Sequence, residues 1–475
     1  MIKVKLGDVA DVKLSNVDKK IKSNEKIIRL CNYTDVYKNW YIKKHMIDSF
    51  MVATCNENEY EKFKLRKGQV AITKDSETPD DIGVPVYIAE DFDNVVLGYH
   101  LALITPISNK LNGSFLNYYF HTKQIQEYFT NNAGGSGQRY SLSIDLIKDV
   151  PLFLPDIETQ SAIASILSSL DDKIELNNKI NKELEDMAKT IYDYWFVQFD
   201  FPDENGKPYK SSGGEMVYND VLKRKIPKGW EGGRLKKTKL CSIVRTGINR
   251  FVGEKVYLAT ANVNQSEIVN HEVKITYLDR PQRASMQPVL NSVWFAKMKS
   301  TIKHLLVNNT SKSIIESYIL STGFCGLKCS LNSLYYVWNY IKGDYFESKK
   351  NIVASGATQQ AINDEDLSGF IILVPPSDLL QKFNNLVSSN YEKINSYKEQ
   401  NTSLSHLRDF LLPLLMNGQV SVGEAKEYIS NIINEPPVKV SDSKYQEWKD
   451  SSGIAARGDL DEETLIAIYE AIKDE

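Results

Sequence analysis

Few side chains in this sequence have types and spacings that suit covalent chemistry. Four carboxylates, at Asp75, Glu77, Asp80 and Asp81, stand close together in a proline-containing stretch. Clustered carboxylates can hold the Mg²⁺ of a nuclease, but in such a loop they are better interpreted as solvated turn residues. The six histidines form no His-x-x-x-His pair and have no catalytic serine or cysteine signature beside them. We therefore expect no catalytic residue in this chain.

Motifs for metals and cofactors are missing from the sequence as well. Cys325 and Cys329 are four residues apart, but no second Cys or His pair follows at zinc-ligand spacing. A methyltransferase would need an Asn/Asp-Pro-Pro motif and a glycine-rich cofactor loop, and a motor would need G-x-x-x-x-G-K-[ST]. Because the sequence contains none of these, it predicts no metal and no cofactor bound to this chain.

The glycine-rich loop Gly-Gly-Ser-Gly-Gln-Arg at 134–139 is a candidate binding element. It lacks the strand and the lysine that surround a nucleotide-binding loop. Glycine lets a backbone approach a phosphate, and glutamine and arginine can pair with adenine and guanine edges, so the loop favours contact with DNA. The alternative is a tight loop that only leads into the next helix. The DNA-binding candidates in this part of the chain are Lys74, Gly137, Gln138, Arg139 and Tyr140.

Charge is distributed unevenly, although the whole chain carries only −3. Residues 223–342 contain 20 basic and 6 acidic side chains, a net +14, whereas residues 419–475 contain 6 and 13, a net −7. Basic side chains bind phosphates with little regard to sequence, so most candidates in the middle segment should contact the DNA backbone. Solvated surface is the alternative for each one singly. These candidates are Arg245, Arg250, Arg283, Lys297 and Lys299.

The chain contains an internal repeat with an offset of 220 to 221 residues. The segment from residue 137 to 156 is echoed by residues 356 to 377, and a helical pattern follows each copy. A repeat fixes the architecture before any single element is assigned, and here it predicts two similar halves, each a globular domain followed by a long helix. In the second copy, Gln359 and Gln360 replace the Gln-Arg pair of the first, which adds both glutamines to the DNA-binding candidates.

The two helical stretches carry seam residues at alternating four- and three-residue spacing, which is typical of a coiled coil. Both seams contain asparagines, which cost stability in an apolar interface but specify one pairing register. We expect these helices to pair through Ile163, Leu167, Leu170, Ile174, Asn177, Asn181, Leu184 and Ile191 in the first, and Phe383, Val387, Asn390, Ile394, Asn401, Leu404 and Leu411 in the second. Packing of each helix on its own domain alone is the alternative.

The ends of the two helices can also be predicted. Asp156 can cap the first helix, which should run to about Trp195. Pro413 should kink or end the second, whose seam carries Arg408 at one position. Ser114 to Phe129 and Ser333 to Phe346 are interpreted as one amphipathic helix each. Strand-like runs are expected at 70–73, 84–88, 101–105, 256–259 and 293–296.

Together these patterns predict a mixed α/β (α+β) fold with two globular domains separated by two long antiparallel helices that form a coiled coil. The aromatic residues of the linker are expected to be ordered by packing on a partner surface. The tail is interpreted as a flexible stretch followed by a small helical module. The expected segments are a first globular domain at 1–154, a first helix at 155–197, a linker at 198–230, a second globular domain at 231–376, a second helix at 377–418 and an acidic tail at 419–475.

The centre of the sequence resembles the specificity subunits of type I restriction-modification systems. The resemblance rests on QSAIASILSSLDDKIELNN at 160–178, WF at 195–196, GKPY at 206–209, SGGEM at 212–216 and IPKGW at 226–230. It implies two target-recognition domains that each read half of a bipartite, asymmetric site in double-stranded DNA, and helices that dock two methyltransferase subunits. It also implies that the chain itself is not an enzyme, and that partner methyltransferase and restriction subunits bind S-adenosylmethionine, ATP and Mg²⁺.

Two other interpretations stay open on the sequence alone. One is a coiled-coil scaffold whose globular domains bind protein partners, and the other is a nuclease or methyltransferase of unfamiliar type. No stretch approaches the roughly 20 consecutive apolar residues needed to cross a bilayer, and the first residues lack the apolar core of a signal peptide. We therefore expect a cytoplasmic protein with no membrane partner.

Overall fold

A computed structural model describes residues 2–135, 139–269, 273–356 and 360–433. The chain divides into two compact units. Unit 1 contains residues up to 175 together with residues from 401 onward, and unit 2 contains residues 176–400 in its described part. Within the described ranges, no helix has the length and apolar character that a membrane span requires.

The globular part of unit 1 combines short strands with short helices. Five strands form its main sheet in the order β2-β10-β6-β8-β4, and three form a second sheet in the order β5-β3-β9. The strands are β1 Ile2–Lys5, β2 Ala10–Leu14, β3 Lys26–Cys31, β4 Tyr41–Ile42, β5 Met51–Cys55, β6 Val70–Thr73, β7 Asp75–Ser76, β8 Pro85–Ile88, β9 Val95–Leu97, β10 Leu101–Pro106, β11 Gly134–Gly135, β12 Tyr140–Ser141 and β13 Pro151–Leu154. The helices are α1 Tyr33–Tyr37, α2 Glu57–Phe63, α3 Gly113–Phe120, α4 Lys123–Asn132 and α5 Ile144–Lys148, followed by α6 Ile157–Tyr192, which belongs to unit 1 up to residue 175 and to unit 2 from there on.

Unit 2 is built from the same kinds of element. Its two main sheets have four strands each, in the orders β17-β26-β23-β24 and β21-β18-β25-β22. The strands are β14 Met216–Asn219, β15 Arg224–Pro227, β16 Glu231–Arg234, β17 Cys241–Ile243, β18 Lys255–Leu258, β19 Val263–Asn264, β20 Glu267–Ile268, β21 Lys274–Ile275, β22 Ala284–Met286, β23 Ser292–Ala296, β24 His304–Val307, β25 Tyr318–Ser321, β26 Phe324–Cys329 and β27 Ile371–Val374. The helices are α7 Lys312–Ser317, α8 Leu334–Lys342 and α9 Asp344–Val353, followed by α10 Ser377–Met416, which belongs to unit 2 up to residue 400 and to unit 1 from residue 401. The last helix, α11 Val422–Ile433, is also part of unit 1.

The internal repeat is visible in the strand pairing. In unit 1, β10 lies antiparallel between β2 and β6, and β1 pairs with β13, the strand that leads into α6. In unit 2, β26 lies antiparallel between β17 and β23, and β16 pairs with β27, the strand that leads into α10. Each of the five strand-like runs found in the sequence overlaps a strand. The predicted mixed α/β fold with two long helices is confirmed.

The two long helices begin where the sequence predicts. Asp156 accepts the backbone N–H of Thr159 on its side chain at 2.8 Å and so caps the start of α6. The helix ends at Tyr192 and passes into a π-helical turn at Asp193–Val197. Pro413 lies inside α10, which ends at Met416 one turn later. Pro413 has no backbone N–H for the carbonyl of Asp409 and so weakens the last turn, and the helix ends three residues after it.

Each unit buries one half of each helix seam. The core of unit 1 contains Ile163, Leu167, Leu170, Leu404, Leu411 and Leu415, and Ile174 packs against it. The core of unit 2 contains Leu184, Ala188, Phe383, Val387 and Ile394, and Ile191 packs against it. The beginning of α6 therefore meets the end of α10 in unit 1, and the end of α6 meets the beginning of α10 in unit 2. The two helices are antiparallel within each unit.

Two stretches interpreted as single helices are helix pairs. The first consists of α3 and α4, with a break at His121 and Thr122, and the second consists of α8 and α9, with a break at Gly343. Thr122 has an extended backbone and begins α4, and Gly343 does the same for α9. The sequence prediction was wrong here because the apolar pattern continues across both breaks.

The linker is part of the core of unit 2. Phe199, Phe201 and Trp230 are buried, and the rings of Phe201 and Trp230 stack with centroids 5.0 Å apart. The strands β14 and β15 form a hairpin inside this stretch. The expectation that a partner surface orders the linker was wrong, because these aromatic side chains pack on α6 and α10 residues of their own chain.

The beginning of the acidic tail is a helix. In α11, Ala425 and Ile429 are four residues apart on one face and are buried in the core of unit 1. The expected flexible stretch is therefore incorrect for Val422–Ile433, because this apolar pair gives the segment a surface to bury. The small helical module predicted further along lies outside the described residues.

Truncation of Phe196 should destabilise unit 2 strongly. Its ring is 2% exposed and lies 4.7 Å from Tyr336 and 5.0 Å from Phe383, measured between centroids. We expect Phe196→Ala to lower the free energy of unfolding by about 3–5 kcal/mol, because it leaves a cavity among buried rings. The matched control is Tyr194→Ala, since Tyr194 is 42% exposed on the same turn. Urea unfolding of the purified chain measures both, and equal losses would contradict this packing.

Candidate nucleic-acid interface

In unit 1 the candidate site is a turn that follows β6. Lys74 donates its backbone N–H to the carbonyl of His100 at 2.9 Å, and its own carbonyl accepts the N–H of Leu142 at 2.8 Å. Directly after it, β7 pairs with β12, which begins at Tyr140. Arg139 precedes β12 and is exposed. The fold therefore brings Lys74 and the end of the glycine-rich loop to one place.

In unit 2 a turn after β23 makes the corresponding bonds. Lys297 donates its N–H to the carbonyl of Gly323 at 2.9 Å, and its carbonyl accepts the N–H of Ile362 at 3.1 Å. The Lys297 side chain lies 3.5 Å from the carboxylate of Asp364. The residue that accepts the lysine N–H directly precedes a strand in both units, Gly323 before β26 and His100 before β10. The residue that donates to the lysine carbonyl, Ile362 or Leu142, follows the repeated loop. The two turns are therefore equivalent positions of the repeat.

In the turn of unit 2, two of the predicted DNA-binding candidates, Lys299 and Gln360, are hydrogen-bonded to each other. Lys299 donates its backbone N–H to the carbonyl of Gln360 at 2.9 Å, and its ammonium donates to Gln360 Oε1 at 2.8 Å. Both side chains are exposed. A cation and an amide are thus presented together beside the second copy of the loop, a combination that can contact a phosphate and a base edge.

The arginine candidates of unit 2 lie on neighbouring segments. The carbonyl of Arg283 accepts the N–H of Thr322 at 2.8 Å, so this exposed arginine lies close to Gly323 and hence to the turn. Arg245 and Arg250 are exposed on the loop between β17 and β18. Gly247 of that loop donates its N–H to Ser285, two residues after Arg283, at 2.8 Å. Gly137, Gln138 and Gln359 lie outside the described residues.

Asp75 differs from the solvated turn residue expected from the sequence. Its side chain is 15% exposed and accepts from the Lys74 ammonium at 2.8 Å, and it lies 2.6 Å from His100 Nδ1. Burial opposes its ionisation, but the bonds from Lys74 and His100 outweigh burial and lower the pKa of Asp75. In the parts of the chain that the structure describes, no three His, Cys, Asp or Glu side chains are grouped to hold a metal ion.

Three of the four seam asparagines are buried with the apolar positions. Asn177 donates from Nδ2 to Oε1 of Gln400 across the helix pair of unit 2 at 2.7 Å. Asn181 and Asn390 are 7% and 3% exposed, and Asn390 contacts the sulfur of Met187 at 3.5 Å. Asn401 is half-buried. Amides in such a seam favour one register over its slipped alternatives.

Arg408 forms a buried ion pair that joins both helices of unit 1 to the globular part. Its guanidinium donates to Asp171 at 2.7 Å and lies 4.0 Å from the centroid of the Trp40 ring. Asp171 also accepts from the hydroxyls of Tyr41 and Tyr118. Each charge is therefore compensated by direct contacts, as a buried pair requires. The sequence singled out Arg408 as irregular in the seam but gave no indication of its partners.

A second buried cluster was missed by the sequence analysis. His304, Glu347 and Lys350 are 2%, 8% and 0% exposed in unit 2, and the Glu347 carboxylate is bonded to both of the others. The spacing of Glu347 and Lys350 on α9 suits an ion pair on any helix surface. Because ion pairs with this spacing usually lie on the exposed surface of a helix, the spacing does not predict that Glu347 and Lys350 are buried.

The comparisons with known proteins agree on one family. The family model described as "Type I restriction modification DNA specificity domain" matches residues 1–186. The MjaIX specificity subunit of Methanocaldococcus jannaschii is 30% identical over 333 residues, which are 65% of this chain and 69% of that protein. The HindI specificity subunit of Haemophilus influenzae is 25% identical over 419 residues, 75% of this chain and 87% of that protein. A crystal structure of a type I restriction-modification S subunit from M. genitalium aligns with a TM-score of 0.49 at 16% identity, covering 87% of this chain and 95% of that one.

A mixed α/β chain with an internal repeat and two long helices is thus related over most of its length to proteins named for a single role. The chain belongs to the family of type I restriction-modification specificity subunits.

The half-buried histidine beside Arg408 should make stability depend on pH. His121 stacks on Trp40 with centroids 3.6 Å apart, and its Nε2 is buried with no hydrogen-bond partner among the described residues. Burial, with repulsion from Arg408, lowers the pKa of His121 to about 3. Above pH 6.5 the ring is neutral folded or unfolded. As the pH falls from 6.5 towards 3, only the unfolded chain gains the proton, so stability is lost.

We expect His121→Phe to remove this part of the pH dependence. Between pH 6.5 and pH 4 the wild type should lose about 2–3 kcal/mol of unfolding free energy more than the variant does. Urea unfolding at a series of pH values measures the difference. An unchanged slope in the variant would mean that His121 is protonated in the folded protein.

Proposed function

We propose that this specificity subunit binds a bipartite, asymmetric site in double-stranded DNA, and that the globular part of each unit reads one half of it. The repeated turn after β6 and β23 is the observation that supports this most directly. The same three backbone segments meet at both turns, and lysines of the predicted interface stand at the matching positions Lys74 and Lys297. The two sites differ at Arg139 and Gln360, which occupy matching positions of the repeat, and such a difference suits a target made of two different half-sequences.

Some candidate residues are suited to contact phosphates and others to contact bases. Residues 223–342 carry +14, so the exposed Arg245, Arg250 and Arg283 are assigned to phosphate contacts, which give affinity without sequence preference. The Lys299–Gln360 pair is assigned to base contact, because a glutamine amide oriented by a neighbour can present a donor and an acceptor to one base edge. In unit 1 the matching roles go to Lys74, Arg139 and Tyr140, together with Gly137 and Gln138.

The chain acts through partners. We propose that two methyltransferase subunits dock on the helix pair and that restriction subunits join them. The chain contributes no catalytic group, and the partner subunits bind S-adenosylmethionine, ATP and Mg²⁺. The complex works in the cytoplasm, where it meets duplex DNA. This proposal is supported by membership of the family, whose relatives are named as specificity subunits of restriction enzymes.

The proposal is tested with the chain expressed together with its methyltransferase subunits. Single-molecule mapping of methylated adenines should yield a split motif with a constant gap, and the purified complex should bind that motif. Lys299→Gln should weaken binding of the motif by about tenfold, since a good base or phosphate contact is worth about 1–3 kcal/mol. Lys328→Gln is the control, because Lys328 is exposed on β26 of the same unit. Absence of any split motif would overturn the proposal.

The length of the helix pair should set the gap between the half-sites. Insertion of one heptad in both α6 and α10 adds about 10 Å to each helix, which corresponds to about three base pairs of duplex. We expect the mapped gap to lengthen by about that number while both half-sequences stay the same. A heptad inserted in α6 alone is the control, since it mismatches the seams and should abolish methylation. A changed half-sequence with an unchanged gap would contradict this role of the helices.

A further inference from the structure

The buried lysine of unit 2 has a hydrogen-bond acceptor for each of its three protons. Lys350 is 0% exposed, and its ammonium donates to the carbonyls of Ala296 at 3.3 Å and Thr301 at 2.8 Å, and to Glu347 at 2.9 Å. His304 Nε2 lies 3.1 Å from the same carboxylate oxygen. The ammonium is therefore fully satisfied and can point in only one direction.

These acceptors bracket the turn that carries the predicted DNA contacts. The turn runs from residue 297 to 303, and Ala296 precedes it while Thr301 lies within it. The N–H of Ala296 donates to the carbonyl of Lys303 at 3.0 Å, which closes the turn. The N–H of Ser300 donates to Asn351 on α9 at 2.7 Å. The ammonium of Lys350 thus ties the turn to α9 from the buried side, whereas the Lys299–Gln360 pair at the same turn is exposed.

The repeat shows that the fold itself does not require a charge at this position. In unit 1 the corresponding residue of α4 is Phe129, which is also 0% exposed. The N–H of Ala133 donates to the carbonyl of Phe129 at 2.9 Å, and the N–H of Ala354 donates to that of Lys350 at 3.0 Å. A buried apolar side chain therefore occupies the matching site of the same architecture.

Burial of the charge costs stability that an apolar residue would not. Burial lowers the pKa of Lys350, although Glu347 acts in the opposite direction. Replacement of a buried ion pair by apolar residues is often neutral or stabilising, and buried ions can instead serve to specify one geometry. Here the geometry that the buried Lys350 can specify is that of the 297–303 turn, because its ammonium donates to Ala296 and Thr301.

We propose that Lys350 is a positioning residue that holds the 297–303 turn in the single arrangement that reads the second half-site. The proposal rests on the proposed function for its DNA consequence, whereas the fixing of the turn is a property of the free chain. Lys350 does not touch DNA. It acts through Lys299 and Gln360, whose exposed side chains lie on the turn and on the loop bonded to it.

The first arm of the test needs no DNA. In the full chain, hydrogen exchange of the Lys299 and Ser300 amides should accelerate by about tenfold or more in Lys350→Met, while the amides of β23 keep their protection. Lys350→Arg retains donors for the same carbonyls and should restore most of the protection. Unchanged exchange in Lys350→Met would overturn the proposal.

The second arm measures discrimination by the complex with its methyltransferase subunits. Lys350→Met should reduce the preference for the correct second half-site by about tenfold, because a misplaced turn loses its base contact. Preference at the first half-site and binding of unrelated duplex should be unchanged. The control is Ile226→Val, a conservative truncation of a residue that is 0% exposed in the same unit.

The outcomes separate this proposal from the proposed function. If Ile226→Val reduces discrimination as much as Lys350→Met does, or if both half-sites lose discrimination equally, Lys350 is only structural and the proposal is overturned. If the wild-type complex prefers no split site, the proposed function fails, and the exchange measurement alone decides whether Lys350 fixes the turn.

Discussion

The structure depends on the burial of the seams of α6 and α10. Helices of 36 and 40 residues with one apolar face are not stable in water unless that face is covered. Each core covers half of each seam, and the same core contains strands and helices of the globular part. The globular part and the helix segments of a unit are therefore one packed body. A change in either helix acts on the orientation of the strands that carry the candidate site.

Polar groups in these cores specify how the helices and domains fit together. Apolar side chains tolerate a slipped register at moderate cost, whereas a displaced buried charge or amide loses its partner entirely. The Asp171–Arg408 pair joins the first half of α6 to the later part of α10 and, through Tyr41 on β4 and Tyr118 on α3, to the globular part of unit 1. The Asn177–Gln400 bond does the same for the helix pair of unit 2. Burial of these polar groups costs free energy of folding, but their bonds form in only one arrangement of the helices and so specify it.

The sequence predicted those features that depend on local pattern. Five strand-like runs, the Asp156 cap and both helix seams follow from period and residue type alone. Features that depend on tertiary contact were missed. Nothing in the composition of 198–230 distinguishes a tethered linker from a segment whose Phe201 and Trp230 fill a core. The Lys299–Gln360 contact joins residues 61 positions apart, so only the folded backbone brings them together.

The repeat also explains how one architecture can carry two turns with different supporting side chains. The bonds that define the turns are made by backbone atoms, which are the same for every side chain. The side chains behind the turns are then free to diverge, as Phe129 and Lys350 do at matching buried positions. Packing around a phenyl ring and donation from an ammonium impose different constraints on the turn they support. A duplicated fold can therefore keep its strand order and its turn bonds while the side chains that support the two turns differ. The proposed recognition of two different half-sites depends on such a difference.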